Sequence, residues 1–401
     1  MGCRYRAGFG IRMSALGALP IEIPNPSVDP CGQIESHPAD EAALLILCLR
    51  GLPIHVPADA DWLALLGLCE ENGVLLLVHQ ALLALGADMP DFFKEAARKS
   101  RAASEWLGAE LESLLQDFAE HGIEVLPLKG PALGLALYGD AALRGSNDID
   151  LLVHRDDFPR ADALLLLRGF AALGGPSEHD RRFLRDGLLI ELHFELDDPR
   201  FFPFNIDGIW SRSRRADFRG NPARAMSNGD LVLYLSAHGL KHGFSRLIWI
   251  LDLARALQGW EPRDYQDLVR HAQRQDLGPW LLIGCEVVRA MFPQQLPQAL
   301  DAAIAVSPVS QMRARHAAAG LFAADRRADL GDYRGFYLQA EPNPLRRWSY
   351  RLRYIAPTYT DYLWARRHRI NPGLMVILRP LRLLKKYGFS KAWRVLFPPT
   401  G

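Results

Sequence analysis

Two aspartates separated by one residue, Asp148 and Asp150, are the strongest candidates for chemistry in this sequence. The apolar run Leu151-Leu-Val153 follows them, and this pattern predicts a short strand that leaves a turn. Side chains at positions i and i+2 of a strand point to the same face, so both carboxylates share that face with Cα atoms roughly 6–7 Å apart. Such a pair suits two hard cations with phosphate oxygens between them.

Residues 187–196 show the clearest strand pattern in the chain. A period of two places four apolar side chains on one face of this strand: Ile190, Leu192, Phe194 and Leu196. The opposite face carries three polar side chains: Glu191, His193 and Glu195. If this strand lies beside the strand of Asp148 and Asp150, Glu191 adds a third carboxylate to the same site.

The segments around the two aspartates alternate between strand and helix patterns. We expect a strand at residues 123–128, a turn at Gly130-Pro131, a helix at 132–138, the strand at 148–153 and a helix ending near 167. This order is typical of α/β or α+β proteins.

The remaining sequence is predicted to be mainly helical. Helices are expected at residues 41–49, from Asp59 or Asp61 to 68, at 73–85 and over an amphipathic stretch at 92–121. Asp230 and Ser245 are the expected N-caps of two further helices, and helical patterns continue to about residue 330. Residues 197–228 are interpreted as a loop or connector, and the proline-rich residues 1–39 as a disordered or extended arm.

The composition restricts the class of protein. With 401 residues, of which 49% are apolar, the chain is long enough for two or three packed domains. A net charge of +1 gives no global field that would attract nucleic acid or membranes. The five cysteines form no C-x-x-C pair, so we expect reduced thiols and a cytoplasmic location. We expect neither a signal peptide nor a membrane span, because no apolar stretch approaches roughly 20 residues.

Residues 345–401 carry thirteen Lys and Arg against one acid, Asp361, with eight Trp and Tyr among them. Two interpretations stay open. The segment is either a patch for phosphates or another anionic surface, which makes RNA a possible partner, or a helical cap whose arginines pair with acids elsewhere.

Four groups of residues, in this order along the chain, resemble the polymerase-β-like nucleotidyltransferase superfamily: Lys129-Gly130, Arg144, Asp148-Ile-Asp150 and Glu191-Leu-His193. More narrowly, the chain is similar to a bacterial nucleotidyltransferase family in which an L-K-G turn replaces the usual G-[GS]. That family also carries an H-x-x-K-H-x helix and then a W-x-x-D segment, which here are His238-Gly-Leu-Lys241-His242 and Trp249-Ile-Leu-Asp252. The resemblance covers roughly residues 40–330.

The resemblance implies an α+β fold in which a polymerase-β-like nucleotidyltransferase core, a small mixed sheet with flanking helices, is joined to helical domains. The expected regions are an arm at 1–39, an N-terminal helical region at 40–122, the core at 123–228, a helical domain at 229–340 and a basic, aromatic-rich segment at 341–401. The implied reaction moves an NMP group from an NTP to a hydroxyl of a protein, peptide or small molecule.

The resemblance also implies residue roles. Asp148 and Asp150 would hold two Mg²⁺ ions, and Glu191 would complete the second metal site or act as the base. Lys129 and Arg144 would supply positive charge to the phosphates. Gly130 would let the backbone approach them, since a Cβ would stand in the way. The other nucleotide-binding residues are Ser146, His238, Lys241 and His242, and the supporting residues are His193, Glu195 and Asp252.

Two details remain open. Pro131 stands where the superfamily has a second Gly or Ser, and it removes a backbone N–H that could bind phosphate. His238 and His242 share one helix face, which would suit either a zinc site or a polar surface toward the triphosphate or acceptor. Asp252 would orient one of these groups or pair with Arg246 or Arg255.

Two alternative functions belong to other classes. The chain could be a catalytically silent module that binds nucleotide or RNA through the basic C-terminal segment. It could also modify RNA, using the carboxylates for chemistry and the basic segment for the acceptor.

Overall fold

The computed structural model describes residues 41–52, 54–199, 202, 204–293, 296–303, 317, 321 and 344–387. The predicted arm at 1–39 lies outside these residues. The described part begins with four helices: α1 (Glu41–Arg50), α2 (Trp62–Asn72), α3 (Leu75–Ala84) and α4 (Asp91–Glu120). Asp61, one of the two expected caps, accepts hydrogen bonds from the N–H groups of Leu63 and Ala64 at the start of α2.

A five-stranded mixed sheet has the strand order β1-β2-β5-β4-β3. Its strands are β1 (Val125–Pro127), β2 (Asp148–Val153), β3 (Ala171–Ala172), β4 (Asp180–Arg185) and β5 (Leu188–His193). β2 is parallel to β5 and antiparallel to β1, and β4 is antiparallel to both of its neighbours. Two helices link the strands: α5 (Gly130–Tyr138) and α6 (Phe158–Leu167). The predicted α+β fold with a small mixed sheet and flanking helices is confirmed.

The strand predicted at 187–196 is shorter in the structure. β5 ends at His193, because the N–H groups of Phe194 and Glu195 both donate to the carbonyl of His179 instead of continuing the ladder. β4 was not predicted, since three of its six residues are arginine and hide the apolar alternation. A tight turn at Asp186-Gly187, with φ of 50° and 85°, joins β4 to β5.

The interpretation of residues 197–228 as a loop or connector is wrong. This segment contains α7 (Ile206–Arg212) and an antiparallel hairpin of β6 (Arg214–Phe218) and β7 (Asn221–Ala225). β6 is mainly polar and β7 contains Pro222 and two small alanines, so no clear alternation of large apolar residues marks either strand in the sequence. Tertiary contacts hold the hairpin instead, since Arg219 at its turn pairs with Glu105 and Glu112 of α4 at 2.8 and 2.9 Å.

Five helices follow: α8 (Asn228–Lys241), α9 (Leu247–Ala256), α10 (Pro262–Arg274), α11 (Gly278–Met291) and α12 (Gln298–Ala303). Both predicted N-caps are wrong. Ser227 caps α8 by accepting a hydrogen bond from the Asp230 N–H, and its hydroxyl donates to the Asp230 carboxylate at 2.6 Å. α9 begins after Arg246, one residue beyond Ser245.

The described C-terminal residues form three helices: α13 (Pro344–Ile355), α14 (Tyr359–Arg367) and α15 (Met375–Tyr387). Leu383 of α15 belongs to the larger apolar cluster of the protein, and Ile355 of α13 packs against that cluster, so both helices contact the rest of the protein. No helix in the described ranges is both long and apolar enough to cross a bilayer.

The buried apolar side chains form two clusters, and β2 contributes to both. Ile149, Leu151 and Val153 belong to a cluster that packs one face of the sheet against α4 and α6. Leu152, on the other face of β2, belongs to a larger cluster that runs through α1–α3 and α8–α11. Asp148 and Asp150 share the face of Leu152. The two aspartates therefore lie where the sheet meets the helices. The domain boundaries expected from the sequence stay predictions.

Candidate functional site

A cleft of about 940 Å³ lies between the sheet and the helices α8 and α9. Ten of the proposed site residues line it: Lys129, Arg144, Ser146, Asp148, Asp150, Glu191, His193, His238, Lys241 and His242. The other three, Gly130, Glu195 and Asp252, are not among the described lining residues. Residues of α2–α4 and of the loop before β4 complete the wall.

Three potential metal ligands meet on the floor of the cleft. Asp150 stands directly opposite Glu191 in the parallel pairing of β2 and β5. Ligand atoms of Asp150, Glu191 and His193 all lie within 4.8 Å of one another. The Nε2 of His193 is 3.4 Å from the Asp150 carboxylate and 3.6 Å from that of Glu191. Strands β2 and β5 are thus adjacent, which is the condition under which Glu191 was expected to add a third carboxylate to the site.

Asp148 lies beside this cluster, on the same face of β2. Its carboxylate accepts a hydrogen bond of 2.8 Å from the Ser146 hydroxyl. Burial and the charge of Asp150 raise its pKa above the ordinary value. The residue is therefore oriented by Ser146, and its charged form gains from any cation that enters the cleft.

Opposing charges surround Asp150, which is 3% exposed. Burial would raise its pKa, but Lys129 and His193 outweigh this effect and hold the pKa well below its usual range. The same contact acts on Lys129, whose burial is outweighed by the charges around it, chiefly that of Asp150, so that its pKa is raised. Burial opposes the charged form of His193, yet hydrogen bonds to Asp150 and Glu191 raise its pKa to about 9.

The residues present fit a divalent cation. The oxygen Oδ2 of Asp150 is buried without a well-formed hydrogen bond to any described residue, and the Lys129 ammonium lies 3.2 Å away. Lys129 is the charge partner of this oxygen, which keeps acceptor capacity that a metal ion can use. The carboxylates of Asp150 and Glu191 supply the oxygen ligands that hard divalent cations take.

The turn before α5 requires glycine for its backbone conformation. A Cβ on Gly130 would meet the Asp148 carbonyl and the Ser146 side chain at 3.6 Å, an ordinary contact. The glycine is required by its φ of +63°, which L-residues rarely adopt, and its expected role toward phosphates stays a prediction. Pro131 occupies the first turn of α5, where its missing N–H costs no helical hydrogen bond.

Asp252 contacts a different group from those expected. It accepts a hydrogen bond of 2.9 Å from Arg144 and one of 2.8 Å from the Tyr138 hydroxyl. The expectation that it orients a residue of α8, or pairs with Arg246 or Arg255, is therefore wrong. Asp252 is fully buried, and a buried charge is stable only beside an opposite charge. Arg144, which is also buried, supplies that charge.

Helix α8 turns His238 and His242 toward Trp249 of α9. The ring of Trp249 lies 5.4 Å from His238 and 5.1 Å from His242, and the two imidazoles are 4.7 Å apart. Burial and the neighbouring lysines lower the pKa of His242 to about 4 and that of His238 well below its usual value. Lys241 donates to Asp197 at 2.6 Å.

This part of the cleft is therefore an uncharged aromatic wall beside a cation. No third His, Cys, Asp or Glu of the described chain joins the two histidines at metal-ligand spacing, so the zinc alternative has no support there. Trp249 was quoted within a motif but was not proposed as a site residue. Its signal was present, because a helical spacing of three places it on the face of Arg246, which also lines the cleft.

Glu195 points away from the cleft and pairs with Arg155. The expectation that it supports the site is wrong, because β5 ends at His193 and the alternation of faces ends with it. Sequence reasoning also missed His179, Arg181 and Arg182, which line the cleft from the loop before β4 and from β4 itself. The Asp186-Gly187 hairpin signal could have located that strand.

Comparison with known proteins identifies the family of this chain. The sequence matches a family described as an uncharacterised nucleotidyltransferase over residues 58–293, more than half of the chain. No match was found among curated proteins. The crystal structure of an antigenic nucleotidyltransferase-like protein from Paracoccidioides brasiliensis is similar at 18% identity and a TM-score of 0.30, covering 45% of this chain and 93% of that one. The family match shows that the chain belongs to the uncharacterised nucleotidyltransferase family.

Proposed function

We propose that this protein is a Mg²⁺-dependent nucleotidyltransferase that moves an NMP group from an NTP to a hydroxyl of a protein, peptide or small molecule. The observation that carries the proposal is the pairing of β2 with β5, which sets Asp150 opposite Glu191 in the cleft. Asp148 lies on the same face, and Lys129 and Arg144 supply positive charge at the same wall. When bound, two Mg²⁺ ions would neutralise the triphosphate and lower the pKa of the attacking hydroxyl.

The chain's own residues divide the remaining work. Asp148 and Asp150 would hold the cations, and Glu191 would either complete the second metal site or take the proton of the acceptor hydroxyl, with His193 as a supporting residue. The acceptor oxygen forms a bond to the α-phosphorus as the bond to the bridging oxygen breaks, and pyrophosphate leaves with the bonding pair. Lys129 and Arg144 stabilise the charge that develops on the leaving group.

Arg144 is suited to this role because Asp252 and Tyr138 fix it before substrate arrives. A pre-oriented guanidinium loses less side-chain entropy when it binds phosphate. His238, His242 and Trp249 form the opposite, uncharged surface, on which a planar nucleobase can stack.

The test is incubation with each α-labelled NTP, Mg²⁺ and a cell extract, with separate measurement of label in protein, RNA and small molecules. Asp148→Asn, Asp150→Asn and Glu191→Gln should each abolish labelling, and chelation of the metal should do the same. Glu195→Gln is the matched control, because Glu195 neighbours the site in sequence but does not line the cleft. Labelling that survives both aspartate changes contradicts the proposal, and label found solely in RNA contradicts the proposed acceptor class.

A further inference from the structure

We propose that α13 and α15 form a surface that lies on an anionic lipid bilayer, at the boundary between headgroups and acyl chains, without crossing it. This lipid-binding face consists of six outward apolar residues: Leu345, Trp348, Leu352, Ile377, Leu381 and Leu384.

Helix α15 is apolar on two sides. Met375 and Leu383 point inward, at 0% and 9% exposure. Ile377, Leu381 and Leu384 follow the spacing i, i+4, i+7 on the other side, where they are 66%, 57% and 37% exposed. Helix α15 also carries Arg379, Arg382 and Lys385, so it is amphipathic, and its second apolar stripe is exposed in the described protein.

Helix α13 repeats the pattern. Leu345, Trp348 and Leu352 follow the spacing i, i+3, i+7 and are 79%, 50% and 60% exposed. This helix packs against α15, and the proposed face joins the apolar stripes of the two helices. An exposed Trp beside Leu and Arg is typical of helices that lie at the boundary between lipid headgroups and acyl chains.

Helix α14, which contacts α15, and α15 itself carry exposed cations, and these favour an anionic partner. The acid Asp361 is buried and pairs with both Arg379 and Arg382, so it does not offset the other cations at the surface. Arg366, Arg367 and Arg369 are exposed at the end of α14, and Lys385 is exposed on α15. A basic surface attracts anionic headgroups.

Lipid accounts for both features of the face, whereas RNA accounts for one. RNA would satisfy the arginines and leave Leu352, Ile377 and Leu381 exposed to water. A bilayer that contains anionic lipid satisfies the cations and also buries the aliphatic side chains.

The experiment is co-sedimentation of the full chain with phosphatidylcholine vesicles, with or without phosphatidylglycerol. We expect binding to the mixed vesicles, weak binding to pure phosphatidylcholine, and weakening by added salt. The variant Ile377→Ser/Leu381→Ser should lower partitioning by about tenfold or more, because two exposed aliphatic groups are lost. The control Leu63→Ser/Leu167→Ser alters residues that are 70% and 84% exposed elsewhere and should bind like the parent.

A second variant, Arg366→Gln/Arg367→Gln, should reduce binding to the mixed vesicles without altering the apolar stripe. Circular dichroism checks that each variant is folded. The proposal is overturned if the parent does not bind mixed vesicles, or if a folded Ile377→Ser/Leu381→Ser variant binds them as well as the parent. It is also overturned if single-stranded RNA binding depends on Arg366 and Arg367 while vesicle binding does not.

Discussion

Arg144 and Asp252 form an ion pair inside the protein, with side chains 4% and 0% exposed. Tyr138 donates to the second carboxylate oxygen, so both oxygens of Asp252 have a partner. Two buried charges of this kind are stable together and costly apart. The cleft wall at Arg144 therefore depends on a carboxylate that does not itself line the cleft.

The change Asp252→Asn should lower the free energy of unfolding by about 3–5 kcal/mol, because it leaves the Arg144 charge buried without compensation. Urea unfolding followed by circular dichroism measures this. In the control, Asp267→Asn removes an exposed partner of Arg270, whose pair is 65% and 56% exposed, and should cost less than about 1 kcal/mol. Equal losses in the two variants would contradict the prediction.

Among the elements, α5 passes very close to the turn that leads into β2. A Cβ built on Gly134 would lie 2.7 Å from the carbonyl oxygen of Ala141 and 3.2 Å from the Cβ of Arg144. The glycine thus lets the helix approach the backbone of the turn that carries Arg144. Gly67 in α2 has no such neighbour, since nothing lies within 4 Å of a Cβ built there.

Two glycine-to-alanine changes should therefore have opposite effects. Gly134→Ala should destabilise the protein by about 1–3 kcal/mol, because backbone atoms must move apart to admit the methyl group. Gly67→Ala should stabilise it by about 0.5–1 kcal/mol, because alanine restricts the unfolded chain in an uncrowded helix. Thermal and urea unfolding of both variants measure the sign, and a stabilising Gly134→Ala would refute the close approach.

The individual elements also show which parts of the fold and the site could be predicted from the sequence. Alternation and the Asp-x-Asp spacing predicted β2, β5 and the shared face of Asp148 with Asp150, because those features depend on local backbone geometry. The polar strands β6 and β7 were not predictable, because contacts of Arg219 with α4 hold them. The pair of Arg144 with Asp252 joins residues 108 positions apart, and no local pattern reports such a contact.

At the scale of the whole molecule, stability depends on histidines kept neutral in the cleft. Burial and nearby cations lower the pKa of both His238 and His242, the latter to about 4. An unfolded histidine titrates near pH 6.5. Below that pH the unfolded chain takes up protons at these two positions before the folded protein does. Their contribution to stability is thus complete above about pH 6.5 and is lost as the pH falls below it, for His242 toward about pH 4.

Replacement of His242 by Gln should flatten this dependence, because glutamine does not titrate. The free energy of unfolding of parent and variant should converge as the pH falls from about 7 to about 4.5. Urea unfolding across that range measures the free-energy difference between parent and variant. His193, whose pKa is raised, affects stability in the opposite direction, and its effect cancels in this difference because both proteins contain it. The control Leu63→Ser, at an exposed position of α2, replaces no titratable group and should leave the slope unchanged. Parallel pH profiles for parent and His242→Gln would contradict the prediction.

Strand β2 carries the core on one side and the two aspartates on the other, and this arrangement restricts how the family can change. An insertion or deletion of one residue within β2 would exchange its faces, sending Asp148 and Asp150 into the apolar cluster of Ile149, Leu151 and Val153. Changes of length by two residues preserve the faces. Viable length variation among relatives at this strand should therefore occur in even steps, and single-residue steps should be confined to the turn before Asp148.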